Sequence, residues 1–440
     1  MSILIKGGRV INPATETDAV LDVLLDESAG TIEKVAADIT DTADRVIDAT
    51  GCYVFPGFID MHVHLRDPGQ TEKGDIATES RAAARGGYTT VLAMPNTTPP
   101  VDDAEAVRYV HEKAKKVGLC NVIQVGAITK GMQGRELSDI AGMKAEGIVA
   151  ISEDGKSVMD SGLAYDAMME AKRLDLTVLS HCEDATLVRG GVMHEGNKSK
   201  AFGVPGIVKA VENNMVARNI FVAQETGARL HLCHCSTAEA AEMVRLARDM
   251  GVNVTGEVCP HHFTLTDEDI PSAKNTEYKM NPPLRPAFDR DALKEALRDG
   301  VLTVISTDHA PHAPADKAGD FTKAAFGIVG LETAASLTYT ELVKSGYLDP
   351  MGMAKCMSYN PAKLLGLDRG DISEGWAADI TIFNPDKSYT IDPADFVGKN
   401  KNMPYAGREV CGRVVTTIMG GKVTYELREK KGFFAKLFGR

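Results

Sequence analysis

Two textures of apolar and polar positions alternate along the 440 residues. Near both ends, short apolar runs are set off by Gly and Asp turns. They are Ile3-Leu4-Ile5, Arg9-Val10-Ile11, Val23-Leu24-Leu25 and Arg45-Val46-Ile47 at the start, and Ala378 to Phe383 and Val410 to Tyr425 at the finish. The last of these is interrupted by a Gly420-Gly421 hairpin signal. Between the ends, short apolar strands alternate with helix-length amphipathic segments. The pattern predicts strands at 54–64, 89–94, 122–128, 148–152, 177–181, 229–234, 253–257 and 303–307. It predicts helices at 75–86, 102–117, 137–145, 163–173, 209–226, 237–250 and 288–299. Gly118 and Gly251 stand where helices end, and Ser236-Thr237-Ala238-Glu239 reads as a capping box.

Eight strand–helix units in series predict an α/β fold, a (β/α)8 TIM-like barrel over 55–367, with functional groups at the C-terminal ends of the strands. An open doubly wound sheet is the alternative, but no Gly-rich phosphate fingerprint follows any strand. The flanks, 1–54 and 368–427, are each too small for a comfortable core, so they are expected to join in one small β-sandwich. Residues 428–440 form a basic amphipathic tail, with Phe433, Phe434, Leu437 and Phe438 at helical spacing among Lys430, Lys431, Lys436 and Arg440. The tail is expected to fold back on the body or to be a family-variable end rather than to touch a membrane surface or a partner.

Composition narrows the classes without choosing one. Hydrophobic content of 44% and charged content of 25% are ordinary for a globular chain. A formal net charge of -12 argues against broad nucleic-acid binding, while local Arg and His remain free to hold a small anion. No signal-peptide core and no apolar run of spanning length are seen. Eight scattered cysteines fit a reducing cytoplasm better than a disulfide framework.

Chemistry concentrates at the predicted strand ends. His62 and His64 lie two residues apart on one strand, so they project to the same side and can grip one divalent metal. Buried core histidines would instead need a partner on each nitrogen. Strand four runs into Glu153-Asp154-Gly155-Lys156, strand five ends in His181, strand six in His234 and strand eight in Asp308. Four His and two Asp suit two zinc ions. By the same alternation, His231, Cys233 and Cys235 face away from His234, and the thiols read as packing groups. His261 and His262 read as structural, and His111 and His194 as surface residues.

These residues carry a resemblance. DMHVHLRDPG (60–69), MPNTTP (94–99), Asp154-Gly155, His181, His234, MNPPLR (280–285), STDHAPH (306–312) and Phe326-Gly327 are similar to class I dihydroorotase, a cyclic amidohydrolase of the amidohydrolase superfamily. The likeness spans nearly the whole chain. It implies that His62, His64 and Asp308 hold one zinc, that His181 and His234 hold the other, and that Asp154 bridges them. Sister enzymes bridge with a carboxylated lysine, a role Lys156 would have to fill; Asp154 is preferred. Members of the family read Asp where this chain has Glu153, at a position facing away from the metals.

The implied reaction is the reversible closure of N-carbamoyl-L-aspartate to L-dihydroorotate in pyrimidine biosynthesis. Zinc-activated hydroxide would be the nucleophile and Asp308 the general base, then acid. Arg66, a fork-shaped anion binder, would hold the ring carboxylate, assisted by His64, Asn96, Asn281, His312 and the backbone of Phe326 and Gly327. A homodimer is expected, with association with aspartate carbamoyltransferase as a further partner. The rival readings are an allantoinase or hydantoinase (dihydropyrimidinase), and a catalytically silent scaffold subunit. Arg66 and Asp154 speak against the first, and the full ligand set against the second.

Overall fold

Gly57 divides what the hydrophobic pattern reads as one strand. Tyr53–Pro56 pairs antiparallel with Ile380–Asn384, whereas Phe58–Val63 pairs in parallel with Tyr88–Ala93. The division has a steric cause, since a Cβ on residue 57 would lie 2.2 Å from Thr89 Oγ1. In this computed structural model, which describes residues 1–428, the two halves of the expected strand therefore serve different sheets. The amphipathic tail of Phe433, Phe434, Leu437 and Phe438 lies outside the described residues.

The first sheet gathers both ends of the chain. Its eight strands include Ser2–Asn12, Thr17–Asp26, Thr31–Ala36 and Arg45–Asp48 from the start, and Ile380–Asn384, Arg413–Met419 and Lys422–Glu426 from the finish. Tyr53–Pro56 sits between the two groups. Ile5, Val10, Val23, Leu25, Val54, Ile380 and Ile418 bury one shared apolar cluster that neither end could assemble alone. Gly420 and Gly421 both take positive φ and make the tight turn their sequence announced.

The second set of strands is parallel throughout. They are β1 (Phe58–Val63), β2 (Tyr88–Ala93), β3 (Asn121–Gln124, resuming at Gly126–Ala127), β4 (Ala150–Ser152), β5 (Thr177–Ser180), β6 (Arg229–Leu232), β7 (Val254–Val258) and β8 (Val304–Ile305). Within each hydrogen-bonded run, neighbours in sequence are neighbours in space. Beyond β8, His309 makes a parallel bridge to Val63, bringing the last strand's continuation back to the first. The helices that separate them include α1 (Ile76–Arg85), α2 (Ala104–Val117), α3 (Ile140–Ala145), α4 (Ser161–Arg173), α5 (Ala210–Thr226), α6 (Ala238–Asp249) and α7 (Ala287–Arg298). Their bounds fall within a few residues of those the amphipathic pattern predicts.

One local expectation is corrected. Helix α6 starts one residue later than a capping box on Ser236 requires. Thr237 is the N-cap and accepts from the Ala240 N–H, while Glu239 turns outward to Lys209 and Ser236 donates to Glu212. The apolar side chains of the parallel strands divide between two clusters. Met61, Leu92, Val125, Ala150, Leu179, Cys233 and Val304 meet one another, whereas Val91, Ile151, Val178, Leu230 and Ile305 meet the helices.

Candidate metal centre

Above that inner apolar cluster, six polar side chains converge, with Asp154 at their centre. The turn after β4 carries Asp154 to within 3.2 Å of His62 Nε2 through one carboxylate oxygen and 3.4 Å of His64 Nε2 through the other. The first oxygen also lies 3.5 Å from His181 Nδ1 and 3.7 Å from His234 Nε2. Asp308 closes the other flank, 3.0 Å from His64 Nε2 and 3.5 Å from His62 Nε2. Two triads with metal-ligand spacing result, His62–His64–Asp154 and Asp154–His181–His234, all buried.

The donors are arranged for a cation. His62 gives its Nδ1–H to Glu257 Oε1 at 2.9 Å, which leaves a bare lone pair on Nε2 facing a carboxylate oxygen. His62 Nε2 and Asp154 Oδ1 are buried with no hydrogen-bond partner, and His181 Nδ1 lies 2.9 Å from His234 Nε2. Lone pairs pressed together in this way repel unless positive charge sits between them. The electrostatics of the site likewise favour positive charge. Burial draws the His181 imidazole down, yet Asp154 and Glu183 outweigh it and push it up to about 10. Burial likewise opposes ionisation of Asp154, but the surrounding imidazoles hold it well below the usual carboxylate range. Imidazole nitrogens and short carboxylates are ligands for zinc or a similar divalent ion.

Backbone strain marks the same place. Arg66, His234 and Asp308 adopt φ of +63°, +35° and +48°, a left-handed conformation that costs non-glycine residues on the order of 1–3 kcal/mol each. Those turns aim the three side chains. His234 in particular lies beyond the end of β6, so the alternation expected to point Cys233 away no longer applies. Cys233 instead packs in the inner cluster with Met61 and Leu179, its thiol close to His62 and Glu257, a correction to the sequence reading.

Beside the ligands opens a cavity of about 280 Å³, lined by His64, Arg66, Asn96, Asn281, His312, Phe326 and Gly327 among others. Arg66 donates from Nε to the Pro311 carbonyl at 3.1 Å and meets His312 Nε2 at 3.2 Å. His312 in turn lies 2.7 Å from the Phe326 carbonyl. Burial and the adjacent Arg66 guanidinium lower the His312 pKa to about 3. Asn96 bridges His64 Nδ1 at 2.8 Å and Asp154 Oδ2 at 3.4 Å, and Asn281 donates to Glu183. Gly327 has φ +126°, and a Cβ there would meet Ala310 at 2.7 Å, so glycine is required.

Lys156 does not join the cluster; its Nζ donates to the Met132 carbonyl at 3.2 Å. Glu153 faces away, accepting from the Thr129 N–H at 3.0 Å. His194 is buried rather than at the surface, 3.1 Å from Arg285 Nη1, and burial with that cation lowers its pKa to about 4. His111 is half-buried, donating to the Glu146 carbonyl and accepting from the Gln124 N–H, each at 3.1 Å. His261 and His262 are buried with their rings 4.2 Å apart, and with Cys259 they form a separate group at metal-ligand spacing.

Sequence reasoning missed Glu257, which is fully buried on β7. Besides His62 it engages His231 Nε2 at 3.1 Å and the His234 N–H at 3.2 Å, so one carboxylate orients ligands from two strands. Its position as the last residue of predicted strand seven was an available signal.

The fold, with His and Asp gathered where parallel strands end, is that of the cyclic amidohydrolase class, as solved structures show. The L-hydantoinase (dihydropyrimidinase) of Arthrobacter aurescens matches with a TM-score of 0.87 at 27% identity, covering 97% of this chain and 96% of that one. The dihydropyrimidinase of Brevibacillus agri matches at 0.83 and 26%, covering 96% and 95%. Sequence narrows the class further. A family model described as dihydro-orotase-like matches residues 51–240. Dihydroorotases of Pelotomaculum thermopropionicum and Clostridium acetobutylicum are 46% and 45% identical over 428 and 425 residues, which is 97% and 96% of this chain and 99% of each relative. The chain belongs to the dihydroorotase family.

Proposed function

We propose that the chain is a dihydroorotase, reversibly closing N-carbamoyl-L-aspartate to L-dihydroorotate. The observation that carries this reading is a buried guanidinium, Arg66, on the wall of the same cavity as the Asp154-centred ligands, in a chain about 45% identical to dihydroorotases. The eight parallel strands are read as a closed (β/α)8 barrel over 55–367, with 1–54 and 368–427 as one satellite domain. His62, His64 and Asp308 would hold one zinc, and His181 and His234 a second, with Asp154 bridging. Bound there, the metals would acidify water and polarise the ring carbonyl.

The chain's own groups do the rest. Arg66 pairs with the substrate carboxylate, and Asn96, Asn281 and His312 add hydrogen bonds around the ring. His312, held neutral beside Arg66, keeps a lone pair available rather than a second positive charge. Asp308 takes a proton from the attacking water and returns it to the leaving ring nitrogen; in the closing direction the order reverses. Glu257 keeps His62 in the tautomer that presents Nε2.

The hydantoinase likeness in shape raises a second reading, a cyclic amidase for rings without a carboxylate. One experiment separates them: purified protein, its metals counted, assayed on L-dihydroorotate beside hydantoin and allantoin. Turnover of dihydroorotate with about two zincs per chain is expected; turnover of the neutral rings alone would refute the reading. The eight free cysteines fit a cytoplasmic setting. Sedimentation of the chain, alone and with aspartate carbamoyltransferase, tests the homodimer and the partner.

A further inference from the structure

Two lysines with no place in the proposed chemistry are buried behind the Phe326–Gly327 wall. Lys279 and Lys317 are 4% and 6% exposed; Glu277 acts on Lys317 and Asp320 on Lys279 from a distance, without a direct hydrogen bond to either ammonium. A buried cation without a carboxylate in direct contact is costly and must have its donors satisfied by other means. Here backbone carbonyls do it. Lys317 Nζ donates to the carbonyls of Ala325 and Gly327 at 3.0 Å and of Lys279 at 3.1 Å. Lys279 Nζ donates to the carbonyls of Phe321 and Ala324 and lies 4.2 Å from the centre of the Phe326 ring. The Lys279 carbonyl also accepts the Gly327 N–H at 3.0 Å.

Together these bonds engage the whole wall. From Ala324 to Gly327, four successive carbonyls each meet a side-chain nitrogen: Lys279, Lys317, His312, and then Lys317 with Asn402. Lys279 also stands two residues before Asn281, so the clamp ties the Asn281 segment to the Phe326 segment across the cavity.

We propose that Lys279 and Lys317 are positioning residues that fix the substrate-facing wall of Phe326 and Gly327 and lend it positive charge suited to an anionic ring. The proposal rests on the dihydroorotase reading. It places neither lysine in contact with substrate. Loss of either should therefore weaken substrate binding while sparing the metal ligands and the proton transfer at Asp308.

The test uses Lys279→Met and Lys317→Gln in the zinc-loaded enzyme. Each is expected to raise KM for L-dihydroorotate about tenfold or more, with kcat within threefold of wild type and zinc content unchanged. KM within twofold of wild type, or kcat and zinc falling with KM, overturns the proposal. Wild type inactive on dihydroorotate would instead defeat the reading beneath it. If either variant fails to fold, amide exchange on the wild type decides. Protection of 324–327 comparable to the parallel strands is expected, and exchange as fast as exposed loops overturns the clamp.

Discussion

The cluster around Asp154 and the wall around Arg66 occupy one cavity but are built on different principles. The cluster's side chains issue from strand ends and the turns just beyond them, with Glu257 on β7 orienting His62 and the His234 backbone together. The wall comes from three loops far apart in sequence, near residues 66, 281 and 312–327. It is held by side chains reaching for backbone carbonyls. A site resting on strands inherits the rigidity of the sheet, whereas one resting on loops has to supply its own ties. The contrast suggests a division of labour: chemistry at the strand ends, substrate choice at the loops.

Asp308→Asn should break that division most sharply. It is expected to retain the fold and lose kcat by about 10²–10⁴-fold, the span typical of a general acid–base group, with KM little changed. Steady-state assay with circular dichroism checks it, and near-wild-type turnover would remove Asp308 from the proton path. Arg66→Met is the complementary cut. Truncating a buried charge that pairs with substrate costs about 2–4 kcal/mol, or roughly 30- to 1,000-fold in kcat/KM. That loss should lie mainly in KM while zinc stays bound; metal analysis showing zinc lost as well would mean the two regions are one unit. Glu257→Gln probes the support of the ligands. A loss of about 10- to 100-fold in zinc affinity is expected, measured by competition with a chelator, with little change in KM at saturating metal.

The two regions also differ in how readily the sequence discloses them. His62, His64 and His181 are legible from strand alternation at predicted strand ends, whereas the choice of Asp154 over Lys156, in the turn after β4, rests on likeness to the family. His234 and Asp308 sit past their strand ends at positive φ, where alternation no longer tells which way a side chain points. That is why Cys233 was expected to face outward. The break at Gly57 was hidden because the residues on either side, Phe55, Pro56, Phe58 and Ile59, read as one apolar run; only the crowding by Thr89 separates them. Asn96, Asn281 and His312 carry no local signature beyond ordinary turn chemistry, so only likeness to a family could single them out. Glu257 was legible as a carboxylate at a strand end, but its three partners lie far from it in sequence or on another strand. Lys279 and Lys317 give no signal at all, since a lysine's burial depends on the carbonyls a distant loop brings to it.

The smallest effect concerns those lysines and stability rather than turnover. Burial, reinforced by Lys279 and opposed by Glu277, lowers the Lys317 pKa from 10.5 to about 8. The folded state therefore releases its proton while the unfolded chain still holds one. Between pH 8 and 10.5 the unfolded chain binds more protons, so stability should rise with pH across that window, and the gain is lost again as pH falls through 8. The expected contribution is about 3 kcal/mol. Urea unfolding of wild type and Lys317→Met at several pH values isolates it, since only wild type should show the extra slope. Parallel curves for the two proteins would mean that Lys317 keeps its ordinary affinity for the proton, with its carbonyl cage repaying the burial in full. The wall would then carry a full positive charge throughout that window, held by carbonyls as the cluster of imidazoles is held by carboxylates.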